Sequence, residues 1–419
     1  MSKQNAFYAQ SGGVTAVINA SACGVIETAR KHSDTIGTVY AGRNGILGAL
    51  TEELIDTAAL SDETVAALRH TPGGAFGSCR YKLKDVETHR AQYERLIEVF
   101  KAHNIGYFFY NGGNDSADTC LKIAQLAESI GYPLKAVHIP KTVDNDLPIT
   151  DNCPGFGSVA KYIAVSTKEA AMDIQSMSAT STKVFILEVM GRHAGWIAGA
   201  GGLAGEGEGS APHLIIFPEI AFDRATVMAR IDDCVKKYGY CVIVVSEGAR
   251  YSDGSFLADA GTTDAFGHKQ LGGVAPSLAA MVKEDLGYKY HWAVADYLQR
   301  SARHLASATD VEQAYAVGEA AVKFALAGKT SDMPATMRTS EIPYTWEIGQ
   351  APLSKIANAE KFMPRDYITP DGFGISDLGR KYFTPLIQGE DYPPYINGMP
   401  NYVQLEHKLV EKKLGSFEP

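Results

Sequence analysis

The stretch GYFFYNGGNDSADTCLKIAQLAESIG, residues 106–131, decides the class of fold. Its opening GYFFY has the length and aromatic content of a strand buried on both faces. Asn111-Gly112-Gly113 then breaks the pattern. Beyond Asn114-Asp115-Ser116, the apolar residues Cys120, Ile123, Ala124, Ala127 and Ile130 recur at helical spacing, and Gly131 ends the run. Strand, glycine turn and helix form the repeating unit of a parallel α/β sheet.

Working outward, four more apolar runs have strand length: 134–139 (LKAVHI), 183–189 (KVFILEV), 214–217 (LIIF) and 240–245 (YCVIVV). The expected fold is therefore α/β with a largely parallel sheet. The loop-like DNDLPITDNCPG at 144–155 marks a crossing between two lobes. Residues 14–30 and 311–327 each read as one helix, and the C-terminal part is rich in Pro, Tyr and Gly.

Composition narrows the function. The 419 residues carry 39 Lys+Arg against 48 Asp+Glu, a formal charge of −9, which argues against wholesale binding to nucleic acid or an anionic membrane. The six cysteines show no CxxC and no zinc-finger spacing, so reduced thiols are expected. The opening MSKQNAFYAQSGG has no basic segment followed by an apolar one, and no run approaches a membrane helix. The expectation is a soluble, cytoplasmic protein.

Polar or glycine-rich groups follow several strands at once, where open parallel sheets bind ligands. GYFFY runs into Asn111–Ser116, LKAVHI into Pro140-Lys141-Thr142-Val143-Asp144-Asn145-Asp146, KVFILEV into Met190-Gly191-Arg192-His193, and YCVIVV into Ser246-Glu247-Gly248. This coincidence predicts one cleft lined by loops from different strands. Ser11-Gly12-Gly13 and Gly112-Gly113 each precede a helix, so backbone N–H groups and the positive helix end can face a phosphate. Neither matches GxxxxGK[ST]. Gly155-Phe-Gly157-Ser-Val-Ala160 and Gly199-Ala-Gly201-Gly-Leu-Ala204 imitate dinucleotide fingerprints without the preceding strand. No HExxH or GxSxG occurs. Asp144 and Asp146 suit proton transfer and Mg²⁺ binding, or alternatively a turn or helix cap. Arg192 suits a phosphate fork or a surface ion pair. His193 suits a ligand contact or a satisfied, partly buried histidine.

Together these segments resemble the phosphofructokinase family. The resemblance rests on Ser11-Gly12-Gly13 with Asn19, Gly73-Gly74 with Ser78-Cys79-Arg80, GGNDS at 112–116, PKTVDND at 140–146, EVMGRHAGW at 188–196, SEGA at 246–249 and YLQR at 297–300. It covers residues 5–330 in consistent order. It implies two similar lobes with largely parallel sheets, an active-site cleft between them, and a C-terminal extension. The implied division is a phosphoryl-donor lobe at 1–150, a sugar-phosphate lobe at 151–297, a helical return to the first lobe at 298–330, and a return to the second lobe with the extension at 331–419.

The resemblance also implies roles. Asp144 falls where the family has the base that takes the proton of the 1-hydroxyl of fructose 6-phosphate. Gly12, Gly13, Arg80, Gly113, Asn114 and Ser116 fall at the phosphoryl donor. Thr142, Asp146, Lys183, Met190, Gly191, Glu247, Tyr297 and Arg300 fall at the sugar phosphate, and Arg192 at the transferring phosphoryl group. Asn114, Asp144 and Asp146 are the implied Mg²⁺ ligands. Asn114 departs from the aspartate usual there. Lys183 replaces an arginine that reaches the 6-phosphate from a neighbouring subunit in bacterial ATP enzymes, and His291 aligns with a second such arginine.

Asp115 and Lys141 resemble the pyrophosphate-dependent branch, since ATP-using relatives usually have glycine at both. A carboxylate at 115 repels an ATP α-phosphate, and Lys141 neutralises the extra charge of free pyrophosphate. The expected reaction is reversible, in a homodimer or larger assembly. The looser 6-phosphate contacts extend the expected substrates to sedoheptulose 7-phosphate. The competing readings are an ATP-dependent 6-phosphofructokinase and a catalytically silent regulatory subunit.

Overall fold

Period-two alternation along the strands sorts the core into layers. The computed structural model describes residues 3–81, 83, 86–263, 269–271 and 273–419. Strands β1 (Gln4–Ser11), β2 (Ile36–Gly42), β3 (Leu54–Asp56), β4 (Ser78–Cys79), β5 (Ile105–Gly112) and β6 (Lys135–Pro140) belong to a first sheet. A second sheet takes β7 (Val184–Val189), β8 (Leu214–Ile216) and β9 (Cys241–Ser246). After the hairpin β10 (Asp259–Thr263) and β11 (Lys269–Leu271), it also takes β12 (Tyr290–Val294). β13 (Asp332–Glu341) and β14 (Tyr344–Pro352) return to the first. Among the described residues the sheet orders are β14-β13-β6-β5-β1-β2-β3, with β4 beside β1, and β12-β7-β9-β8. Only β3 on β2 and β14 on β13 pair antiparallel within them. The α/β expectation is borne out, and the five apolar runs are β5 to β9.

In β5, Phe108 and Tyr110 join Phe7 beneath the helices Arg90–Ala102 and Asn114–Ser129. Phe109 turns to the other face with Tyr8, under the helices Ile18–Lys31 and Ala308–Leu326. The second sheet is likewise covered on both faces. Leu187 and Val189 meet the helix Phe156–Met177, and Val184 and Ile186 meet Arg224–Tyr238 and Val274–Leu286. The first helix begins at Ile18, so residues 14–17 remain loop, where a helix from 14 was expected. From β1 the chain crosses to β2 on one side; from β5 it crosses to β6 on the other. That reversal leaves a crevice between the ends of β1 and β5.

The return to the second lobe expected from residue 331 begins later in the chain. β13 pairs with β6 through Asp332 opposite Val137, and Met333 and Ala335 enter the first-lobe core. This covers an edge that β6 would otherwise expose. Residues 365–387 do reach the second lobe, where Ile368, Tyr382 and Phe383 pack near Trp196. The final arm then returns: Val403, Leu405, Val410, Leu414 and Phe417 lie on the first lobe.

The arm is held by a buried carboxylate. Lys408 O accepts from Asp56 N at 2.9 Å and Val410 N donates to Leu54 O at 2.8 Å, so the arm shields β3. Glu52 accepts from Lys413 N at 2.6 Å, Leu414 N at 3.0 Å and the His103 ring at 2.7 Å. Burial alone raises the Glu52 pKa, but these donors hold it below the ordinary glutamate value. Its contribution is therefore complete at neutral pH and is lost as pH falls through that depressed value. Glu52→Ala is expected to destabilise the protein by about 3 kcal/mol, because it strands buried donors. Urea unfolding at pH 7 reads this, and a loss under about 0.5 kcal/mol would refute it. No described helix is long and apolar enough to cross a membrane, and all six cysteines are buried and free.

Candidate active site

The crevice between β1 and β5 widens into a cleft of about 990 Å³ that reaches the second lobe. Its floor is backbone. Gly12 has φ +74°, a conformation that favours glycine. A Cβ at Gly13 would lie 2.6 Å from an Arg300 guanidinium nitrogen, so only glycine lets the arginine approach. Arg80 reaches the same spot at 3.5 Å, and Lys141 Nζ donates to Gly13 O at 2.6 Å. Three cations thus converge on two glycines. Opposite them the helix Asn114–Ser129 begins after Gly113 with no side-chain cap, leaving its N-terminus to the cleft.

The DND loop turns its carboxylates outward because its middle residue is anchored. Asn145 sits at φ +56°, fully buried, donating to Tyr382 Oη at 2.9 Å and accepting from Cys153 N at 2.9 Å. Asp144 and Asp146 on either side face the cleft. Asp144 N donates to Thr142 Oγ1 at 3.0 Å, which orients Thr142 beside the carboxylate. From the second lobe come Met190 and Arg192 after β7, Glu247 after β9, and Asp296, Tyr297 and Arg300 from the helix Asp296–Ser301. The Arg300 guanidinium stacks 3.7 Å from the Tyr297 ring centre. Gly191, at φ +130°, donates N–H to Glu247 Oε1 at 3.4 Å and accepts from Ser246 Oγ at 2.6 Å.

The charges of the cleft are divided between a cationic side and a carboxylate side. Burial, helped by the Arg300 and Arg80 charges and opposed by the pull of Asp144, lowers the Lys141 pKa to about 8. Burial and then the Asp144 charge raise Glu247 to about 7. The same two causes push Asp146 up, and burial pushes Asp144 up against the opposing charge of Lys141. A polyanion on the glycine side relieves the cations, and a divalent cation near the aspartates relieves the carboxylates. Asp144 and Asp146 therefore present hard oxygen donors of the kind a divalent cation takes. Among the described residues no group of three or more His, Cys, Asp or Glu could hold a metal alone.

Apart from Gly191, Lys183 and His291, every residue given a role by the family resemblance lines the cleft. Gly191 supports it through Glu247. Lys183 lies just before β7, at the opposite end of that strand from the cleft, and its ammonium donates to Ser178 O. Asn114, expected as a metal ligand, is engaged in hydrogen bonds: its Oδ1 accepts from Asn358 N at 2.7 Å, and its Nδ2 donates to Ile356 O at 3.3 Å and to Ala359 O. Sequence reading missed Asn358, Glu360 and Phe362, which line the cleft from a crossover without any motif. His193 lines it too, bonded to Glu360 at 2.9 Å.

Known proteins resemble this chain along its full length. Residues 5–325 match the family model described as Phosphofructokinase. A Halomonas elongata protein named pyrophosphate–fructose 6-phosphate 1-phosphotransferase is 73% identical over 418 residues, covering 100% of both chains. A Methylococcus capsulatus protein of the same name is 67% identical, covering 99% of each. The crystal structure of pyrophosphate-dependent phosphofructokinase from Nitrosospira multiformis superposes with a TM-score of 0.92 at 65% identity, covering 100% of both chains.

Proposed function

The chain belongs to the phosphofructokinase family, and from that footing we propose that it transfers a phosphoryl group reversibly between inorganic pyrophosphate and the 1-hydroxyl of fructose 6-phosphate. The observation that carries this is the convergence of Arg80, Lys141 and Arg300 on Gly12-Gly13, next to Asp144. Such a site suits a compact polyanion. Asp115, in the first turn of the opposing helix, adds a carboxylate on the wall that would repel a longer nucleotide tail.

In the forward direction the sugar hydroxyl gives its proton to Asp144 while its oxygen attacks the near phosphorus of pyrophosphate. The bridging P–O bond breaks and phosphate departs, leaving fructose 1,6-bisphosphate. Lys141 and Arg192 neutralise charge on the transferring group, and the backbone N–H groups around Gly12-Gly13 and Gly113 hold the donor. Asp144 and Asp146 would hold Mg²⁺, which would supply further neutralisation of phosphate charge. Thr142, Met190, Gly191, Glu247, Tyr297 and Arg300 orient the sugar phosphate.

The 6-phosphate contacts belong to a homodimer or larger assembly in this reading, with each copy lending Lys183 and His291 to the other. Supporting it, β12 is an edge strand whose Trp292 and Val294 are exposed, as are Tyr297 and Leu298 beyond it. Sedoheptulose 7-phosphate is included as a second acceptor, and the working location is the cytoplasm.

The test is a coupled assay with fructose 6-phosphate and Mg²⁺, supplying pyrophosphate or ATP in parallel. Turnover with pyrophosphate at least about 100-fold above ATP is expected, an energy difference of about 2.7 kcal/mol. Turnover with ATP alone would overturn the donor, and silence with both would favour a regulatory subunit. A kcat/KM for sedoheptulose 7-phosphate far below that for fructose 6-phosphate would remove the second acceptor.

A further inference from the structure

Residues 353–364 leave the outer edge of the first sheet and cross the cleft mouth to the second lobe. Leu353 and Ile356 are anchored in the first-lobe core, and Met363 in the second. Between these anchors the crossover is fastened to three separate loops. Asn114, the first helical residue after the glycine loop that follows β5, holds residues 356–359. Glu360 Oε1 accepts from His193 Nδ1 at 2.9 Å, on the loop after β7. Lys361 N donates to Asp146 O at 2.7 Å, while its ammonium donates to Thr150 O at 3.0 Å and Asp151 O at 2.8 Å.

We propose that Asn114 is a positioning residue, a clip that sets the donor loop in register with the loop bearing Asp144 by fastening both to this crossover. The chemistry explains the amide. Two carbonyls, of Ile356 and Ala359, need a donor, and one backbone N–H, of Asn358, needs an acceptor. A carboxamide meets all three; a carboxylate meets only the last and repels the other two. Asn358 takes φ +58° at this point, and its own amide donates to Asp118 Oδ1 at 3.1 Å, four residues along the same helix as Asn114. The clip is therefore continuous from helix to crossover to the DND loop. Assigning the fastened loops to donor and base rests on the function proposed above; the clip itself does not.

The decisive variant is Asn114→Asp, with Asn114→Ala beside it. Freed from the clip, the crossover is expected to be cut by trypsin after Lys355 at least about tenfold faster. Misregistration of donor and base is expected to lower kcat about 10- to 100-fold, with no fall in the Mg²⁺ concentration giving half-maximal rate. Wild-type trypsin resistance in both variants, or a lowered Mg²⁺ requirement in Asn114→Asp, overturns the proposal, because a metal ligand would gain from the carboxylate. Should the variants fail to fold, hydrogen exchange on the unmodified protein decides. The Asn358 amide is expected to be protected at least about tenfold and to stay so when Mg²⁺ alone is added; rapid exchange, or protection lost on adding Mg²⁺, overturns the clip. Absence of pyrophosphate turnover would sink the functional reading but leave the trypsin and exchange results to judge the clip.

Discussion

Asp144→Asn is expected to reduce kcat by about 10²- to 10⁴-fold, the range typical of losing a general base. The replacement keeps the side-chain shape and the bond from the residue's backbone N–H to Thr142 Oγ1, so the loop has no steric reason to move. What it loses is the ability to take the hydroxyl proton. It also removes a negative charge that helps keep Lys141 protonated and that helps raise Asp146 and Glu247. Donor affinity should therefore weaken only mildly, and KM for pyrophosphate should stay within about threefold of wild type. Steady-state kinetics in both directions checks this. A kcat within about tenfold of wild type would remove Asp144 from the role of base.

Lys141→Met should be nearly as damaging for pyrophosphate and selective for it. Methionine refills much of the buried volume without the charge. The ammonium stands within bonding distance of Gly13 O and beside the arginines that converge on Gly13. Removing one stabilising group from such a site costs about 10²- to 10³-fold in kcat/KM for pyrophosphate. The KM for fructose 6-phosphate should change little, because the contacts assigned to the sugar lie on the loops after β7 and β9 and on Asp296–Ser301. Adding Asp115→Gly to Lys141→Gly should raise ATP-supported turnover relative to pyrophosphate. An unchanged donor ratio in the double variant would refute the exclusion argument built on Asp115.

Much of the cleft was legible because its groups are continuous with the fold signal. Lys141, Thr142 and Asp144 follow β6 within four residues, and Arg192 and Glu247 follow β7 and β9 as closely. An apolar run and the polar group after it are local features, so reading one strand locates one loop. β1 was harder. QNAFYAQS is half polar, yet it lies between β5 and β2, where Gln10 and Asn111 are buried in a shared hydrogen-bond network with Asn19 and Tyr8. Composition does not reveal a strand whose polar side chains are buried against other polar side chains brought together by the fold.

Sequence alone determined the α/β class, the family, the order of loops around the cleft and the identities of the cations and carboxylates on those loops, since all of these are written in short contiguous segments. Tertiary structure decided what depends on segments far apart in the chain. It carried β13 to the edge of β6, put Lys183 at the far end of β7 from this chain's own cleft, and brought the crossover onto Asn114 across some 240 residues. Asn114 reads identically as a metal ligand or a clip until its neighbours are known. A side-chain amide has both a donor and an acceptor, and only the groups packed around it select which of its chemistries is used.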